Sequence, residues 1–148
     1  MEVTERSDFA WFRAGVKNGI PISLGYFAVA LALGIPAKTA GLTAFQAMLA
    51  CLLTNASAGA YAAFSMIGAA ASMLEFAIMQ FVANARYLLM SAALSQKLSP
   101  DLSMRHRLGI GFAVTDEIFG AAIAVPGKLN PFFYYGMMAI AIPGWASG

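Results

Sequence analysis

Three charged side chains stand out in a chain that is otherwise poor in charge. Arg86 lies in the run Phe81-Val82-Ala83-Asn84-Ala85-Arg86-Tyr87-Leu88-Leu89-Met90-Ser91, and two acids lie in Thr115-Asp116-Glu117-Ile118-Phe119. Both runs are apolar enough for a bilayer, and the charges fall near their middles. A charge at the centre of a membrane helix costs roughly 2.5–3.5 kcal/mol even on the milder insertion scales. Such groups need a partner or a wet cavity. Two readings of the set stand open. An ion pair can fix helix register, or the groups can bind a zwitterionic or anionic solute and couple it to protons. Two acids against one base leave one carboxylate over, to be protonated, face water or exchange a proton.

Counting along the chain gives their depth. Arg86 stands ten residues before Gln96, and Asp116 nine after Arg107. At 1.5 Å per residue both lie roughly 13–15 Å from the basic stretch 96–107, near the midplane of a bilayer core. An antiparallel hairpin of segments 74–95 and 108–125 therefore puts them level. Neighbouring helix residues point about 100° apart, so one of Asp116 and Glu117 can meet Arg86 while the other faces a cavity. The spacing does not choose between them. Tyr87 can line that cavity or simply pack. Asn84 points elsewhere on the helix and serves another contact, and Glu75 at the helix end can reach water.

The elements that must position these groups follow from the distribution of charge. The chain has 148 residues, 60% hydrophobic and 11% charged, with a mean hydropathy of +0.72. A soluble domain usually carries about 25% charged residues. Uncharged gaps of 20, 36 and 20 residues separate Lys17 from Lys38, Lys38 from Glu75, and Lys128 from the last residue. Each reaches the length of about 20 that a spanning helix needs. The fold class is all-α: a polytopic helical membrane protein with about five apolar segments. A net charge of +2 gives no reason to expect nucleic acid. Cys51, the only cysteine, reads as a small packing residue, and His106 as a residue of a solvated basic loop. No metal set is visible, no cofactor is implied, and no nucleotide-binding Gly-x-x-x-x-Gly-Lys-Ser/Thr occurs. Without a nucleophile or cofactor motif beside the acids, an intramembrane enzyme is the weakest reading.

Residues 1–17 form an N-terminal cytoplasmic or interfacial segment, and 18–148 a transmembrane domain. Phe9, Phe12, Val16 and Ile20 recur at helical spacing, with Ser7 or Asp8 as a cap, so a short interfacial helix or a solvated tail is expected. The first span is 19–35, with Pro21 in its first turn and Pro36-Ala37-Lys38 stopping it. The stretch 42–73 is too long for one crossing: a straight helix would run roughly 48 Å. Its middle is polar and small, with Asn55 and Ser57, so it is either a packing seam or a broken or re-entrant helix near 55–60. Loop charge favours the second. If 42–73 makes no net crossing, Arg6, Arg13, Lys17, Lys97, Arg105 and Arg107 share the cytoplasmic side, leaving Lys38 and Lys128 opposite. Residues 126–131 make a tight turn before a last run, 132–148. A faint repeat sets Pro36-Ala37-Lys38 and Ala56-Ser57 against Pro126-Gly127-Lys128 and Ala146-Ser147.

The runs quoted around Arg86 and Asp116, with the closing Pro143-Gly144-Trp145, resemble the AzlC family, the large subunit of branched-chain amino acid exporters. The likeness covers the chain from about Gly15 onward. It implies a multi-pass protein of a bacterial or archaeal cytoplasmic membrane, exporting leucine, isoleucine, valine or analogues. It also implies a small AzlD-like membrane subunit as partner; a homo-oligomer is a further expectation. Arg86, Asp116, Glu117, Asn84, Asn55 and Ser57 are the candidates for substrate or coupling-ion binding. Many relatives carry Gly-Ala-Ser-Gln where this chain reads Ser57-Ala58-Gly59-Ala60, and relatives run well beyond the Trp motif, so a fragment or a shortened member is expected. The alternative is a membrane scaffold that assembles with a partner and moves no solute.

Overall fold

The structure is a computed structural model and describes residues 7–148. The expectation for Arg6 lies outside the described residues. The first helix, α1, spans Asp8–Thr39. Ser7 caps it, its hydroxyl accepting from the Ala10 amide at 3.3 Å. The expected interfacial helix and first span are thus one continuous rod of 32 residues. Pro21 lies inside it, not in its first turn, and Pro36 does not stop it. The stop is Gly41, with φ +79°. The Leu42 amide bonds Ala37 and the Gly41 amide bonds Lys38, a Schellman closure that only a left-handed residue permits.

The following helices are α2 (Ala44–Thr54), α3 (Ser57–Gly68), α4 (Met73–Asn84), α5 (Arg86–Lys97), α6 (Met104–Phe112), α7 (Asp116–Ala124) and α8 (Pro131–Ser147). They fall into five apolar segments, as expected: α1, α2–α3, α4–α5, α6–α7 and α8. Among the described residues two segments, Asp8–Thr39 and Met73–Lys97, are long and apolar enough to cross a membrane.

α1 and α8 pack in parallel as the spine. Gly15 lies on the Phe133 carbonyl and on Gly136, Gly19 lies on Met137, and Gly144 lies on Ser23. A methyl group at Gly15 or Gly136 would collide with the facing backbone. Small residues that let two backbones touch are how membrane helices associate, because lipid leaves no hydrophobic drive between them.

The other segments double back or bend. Thr43 and Gln46 form a capping box that starts α2. The helix ends at Asn55, in the left-handed region at φ 44°. α3 then returns, and Gly68 packs on Ala40, so α2–α3 begins and ends beside the C-terminus of α1. The expected break near 55–60 is present. α4 starts there with a Ser72–Glu75 capping box. It bends at Ala85 and continues as α5 to the opposite end. The expected segment 74–95 is thus two helices with a bend between them.

The fourth span departs further from expectation. Segment 108–125 is not one helix. α6 begins on the α5 side of the fold, breaks at 113–115, and α7 returns to that same side. Lys97 bonds the Val125 carbonyl and the Gly127 carbonyl, the latter at 3.2 Å. The Leu129 amide bonds the Lys97 carbonyl at 2.9 Å. Two re-entrant pairs thus enter from opposite ends, and their tips meet where Asn55 Nδ2 donates to the Phe112 carbonyl at 3.4 Å.

This topology corrects three further expectations. Lys128 bonds the Gln96 carbonyl at 2.9 Å, so it sits at the end of Lys97 and not opposite with Lys38. Within the basic stretch only 98–103 is a loop. Arg105, His106 and Arg107 belong to α6, and His106 is half-buried, its Nδ1 2.9 Å from the Tyr135 hydroxyl. The faint repeat has no structural counterpart: Pro36-Ala37-Lys38 is helical and Pro126-Gly127-Lys128 is a turn.

Candidate functional site

The two breaks and the bend at Ala85 converge on one place. Thr115 caps α7, its buried hydroxyl accepting from the Ile118 amide at 3.4 Å. Asp116 and Glu117 fill the first turn of α7, where acids complement the positive end of the helix dipole. Arg86, first residue of α5, holds Asp116 with Nη1 2.9 Å from Oδ2. Its guanidinium also lies 5.2 Å from the centre of the Tyr87 ring. The ion pair therefore belongs to Asp116. Glu117 turns away and takes a hydrogen bond from the Tyr26 hydroxyl at 2.7 Å, which also bonds the Thr115 hydroxyl. Among the described residues, no lysine or arginine pairs with Glu117.

These groups line a partly open cavity of about 30 Å³, room for roughly one or two waters. Tyr26, Asn55, Ser57, Thr115, Asp116 and Glu117 line it, with Tyr87 and Trp145 at its side. Its two helix N-termini differ. α7 is capped by Thr115, whereas α3 starts at Ala56 with no side-chain cap. The amides opening α3 are thus donors without a side-chain acceptor. Trp145 separates this polar centre from a second cavity of about 590 Å³, lined mainly by apolar residues of α1 and α2 such as Leu33, Phe45 and Met48. The indole NH of Trp145 donates to the Cys51 carbonyl at 2.8 Å, and its ring meets Tyr26 edge-on. Cys51 is buried, as its place in the apolar run suggested.

Of the residues singled out in the sequence, Asn55, Ser57, Asp116 and Glu117 line the small cavity, and Arg86 joins through Asp116. Asn84 does not. Its amide bonds Gln80 at 2.9 and 3.0 Å and packs on Gly59 of α3. Glu75 is exposed in its capping box, at the far end of α4. Tyr26 and Thr115 escaped the sequence reading. Thr115 had a signal, since a threonine before two acids is a helix start. Tyr26 had none, being one tyrosine in an apolar run.

A family model described as AzlC protein matches residues 21–148, a span that holds every lining residue of the small cavity. The chain belongs to the AzlC family. It is 31% identical to a protein of Archaeoglobus fulgidus called an uncharacterized membrane protein, over 96% of this chain and 61% of that one. It is 27% identical to inner membrane protein YgaZ of Escherichia coli, over 93% of this chain and 57% of that one. The chain thus spans about three-fifths of the length of these curated relatives. No solved structure matches it. As an AzlC-family chain that is helical, with two helices apolar and long enough to span among the described residues, it is an all-α membrane protein, and the small cavity lies where the segments cross.

Proposed function

We propose that this chain carries the solute site of a secondary transporter that exports branched-chain amino acids, driven by an ion gradient. The carrying observation is the meeting of two re-entrant helix pairs at a polar cavity where Glu117 has no basic partner. Broken helices expose backbone donors and acceptors at mid-depth, which is how many transporters hold solute and coupling ion. The amino acid's carboxylate takes the uncapped amides that open α3, near Ser57, and its ammonium faces Glu117. Its apolar side chain points past Trp145 toward the apolar cavity. Arg86 keeps Asp116 neutralised, and Asn55 holds the two tips together. Because the polar cavity has room for a water or a single ion, loading requires the tips to part.

The setting is the cytoplasmic membrane of a bacterium or archaeon, with the Asp8 end of α1 in the cytoplasm. Arg13, Lys17, Lys97, Arg105, Arg107 and Lys128 lie toward that end and only Lys38 lies at the other, which fits the positive-inside rule. A small AzlD-like membrane subunit is the proposed partner.

The test is efflux of labelled leucine and valine from preloaded cells, with and without the small subunit. Partner-dependent, gradient-dependent efflux that Glu117→Gln abolishes supports the reading. Unaltered efflux after replacing Arg86, Asp116 and Glu117 together would sink the site. A stable complex with no flux of any amino acid would make the chain a scaffold.

A further inference from the structure

The polar and the apolar cavity differ greatly in size, about 30 Å³ against about 590 Å³. The larger is lined mainly by apolar groups, among them Ala30 and Leu33 of α1, Ala47 and Met48 of α2, and Phe64 of α3. A leucine side chain has four carbon atoms and needs roughly 120 Å³, at about 30 Å³ for each water-sized group. The apolar cavity would take a side chain of several times that bulk. Its size therefore does not restrict a solute to the branched-chain class. A restriction has to stand between the two cavities.

Among the described residues, Trp145 alone lines both. It is 4% exposed, and its indole is held from more than one direction. The NH donates at 2.8 Å to the carbonyl of Cys51, in the last turn of α2. The ring meets Tyr26 edge-on with the ring centres 5.7 Å apart, and the Tyr26 hydroxyl is itself held by Thr115 and Glu117. The preceding residue, Gly144, touches α1 so closely that a methyl group there would collide with the Ser23 carbonyl. α8 thus has no slack to carry the ring aside. An indole held in this way is a fixed wall. A solute with its charged ends at Glu117 and at the start of α3 has to fit its side chain against that wall.

We propose that Trp145 is the specificity-determining residue of the solute site. It lets short branched side chains reach the mouth of the apolar cavity and turns away longer and aromatic ones. The inference rests on the function proposed above, because it concerns the same site. The apolar cavity is reserve space, opened to the solute when the indole is cut back.

The test is efflux of labelled leucine, valine and phenylalanine from preloaded cells that carry the chain and the small subunit. An apolar pocket discriminates a single methylene by roughly 10–200-fold, so Trp145→Leu should raise phenylalanine flux relative to leucine by at least about tenfold. Trp145→Phe should raise it by a smaller factor. Neither variant orphans the Cys51 carbonyl, to which the Asn55 amide also donates at 2.9 Å. Where Trp145→Leu does not assemble, Trp145→Phe carries the test. The ratio decides, because a structural defect lowers both fluxes together. Ala47 lines the apolar cavity one turn before Cys51, so Ala47→Phe fills the space beyond the indole. Added to either Trp145 variant, it should return the ratio toward that of the natural chain. An unchanged ratio in assembled Trp145 variants would overturn the wall and leave branched-chain export standing. A raised ratio that Ala47→Phe does not reverse would also overturn it, since the larger side chain then goes elsewhere. A gain of phenylalanine flux that Ala47→Phe reverses, in a chain that moves no leucine or valine, supports the wall and sinks the branched-chain assignment. No flux of any of the three from the natural chain or its variants overturns both.

Discussion

The two helix breaks are alike in place and opposite in chemistry. Both sit at the tip of a re-entrant pair, and both end in a new helix N-terminus beside the same cavity. The α6–α7 break supplies its own cap from Thr115 and its own charges from Asp116 and Glu117. The α2–α3 break has neither: Ala56 gives no side-chain cap and the first turn of α3 has no acid. A helix N-terminus attracts negative charge. In α7 that demand is met within the chain, so the acids there are left to handle cations. In α3 it is unmet, so a solute's carboxylate can meet it. On the function proposed above, this contrast would divide a zwitterion between the two tips.

Removing charge from the self-sufficient break should have the largest effect. Glu117→Gln keeps the Tyr26 hydrogen bond within reach and removes the acid of this break that no cation holds. Efflux should fall by about tenfold or more, the equivalent of at least about 1.4 kcal/mol in the rate-limiting step, while expression and assembly persist. Equal efflux for Glu117→Gln and the natural chain would take the solute's ammonium off Glu117 and erase the contrast between the tips.

The ion pair comes next. Arg86→Ala leaves Asp116 without its partner at mid-depth, and the half-exposure of both groups sets the cost between a surface and a buried pair. A loss of about 1–2 kcal/mol in unfolding from detergent is expected. Arg86→Ala combined with Asp116→Ala should recover part of it, since no lone charge remains. A double variant as unstable as the sum of the two singles would show that the pair is not coupled.

How far this contrast was legible in the sequence depends on the residue type at each turn. Arg86 and the acids announced themselves because charge is rare here, and counting placed Arg86 level with Asp116 although α6–α7 is not a straight helix. The count survived because the bend at Ala85 and the break at 113–115 fall at the same depth. Asn55 signalled the first break through its polarity and its small neighbours. The second break was hidden in Gly109-Ile110-Gly111-Phe112-Ala113-Val114, which reads as a spanning run. Only Thr115 before two acids marked a new start. Prolines misled in the opposite direction: Pro36 was read as a stop, but a proline inside a membrane helix is tolerated when neighbours re-satisfy the freed backbone groups. The true stop depended on the backbone freedom of Gly41.

The turn at Asn55 carries a smaller prediction. At φ 44° a β-branched residue is strained by about 1–2 kcal/mol, whereas glycine is at home. Asn55→Val should lower the unfolding midpoint and loosen the contact between the tips. Asn55→Gly should lose only the weak bond to the Phe112 carbonyl and leave the midpoint nearly unchanged. Similar losses for both would mean that the amide bond, not the backbone conformation, holds the tip.

The smallest effect is the most discriminating, because it converts one break into the other. Ala56→Ser places a hydroxyl at the N-cap position of α3, where it can accept from the Gly59 amide as Thr115 does from Ile118 in α7. Such a cap stabilises a helix by about 0.5–2 kcal/mol, so the variant should unfold slightly later than the natural chain. The same hydroxyl occupies a donor assigned to the solute's carboxylate. Losing one such bond is worth about 1 kcal/mol, which raises the leucine concentration for half-maximal efflux by roughly fivefold. The maximal rate should hold, because Glu117 is untouched. Greater stability with weaker apparent affinity places the carboxylate at α3. Greater stability with unchanged affinity removes it from there and leaves α3 as a structural tip, with the acids of α7 as the only groups in contact with the solute.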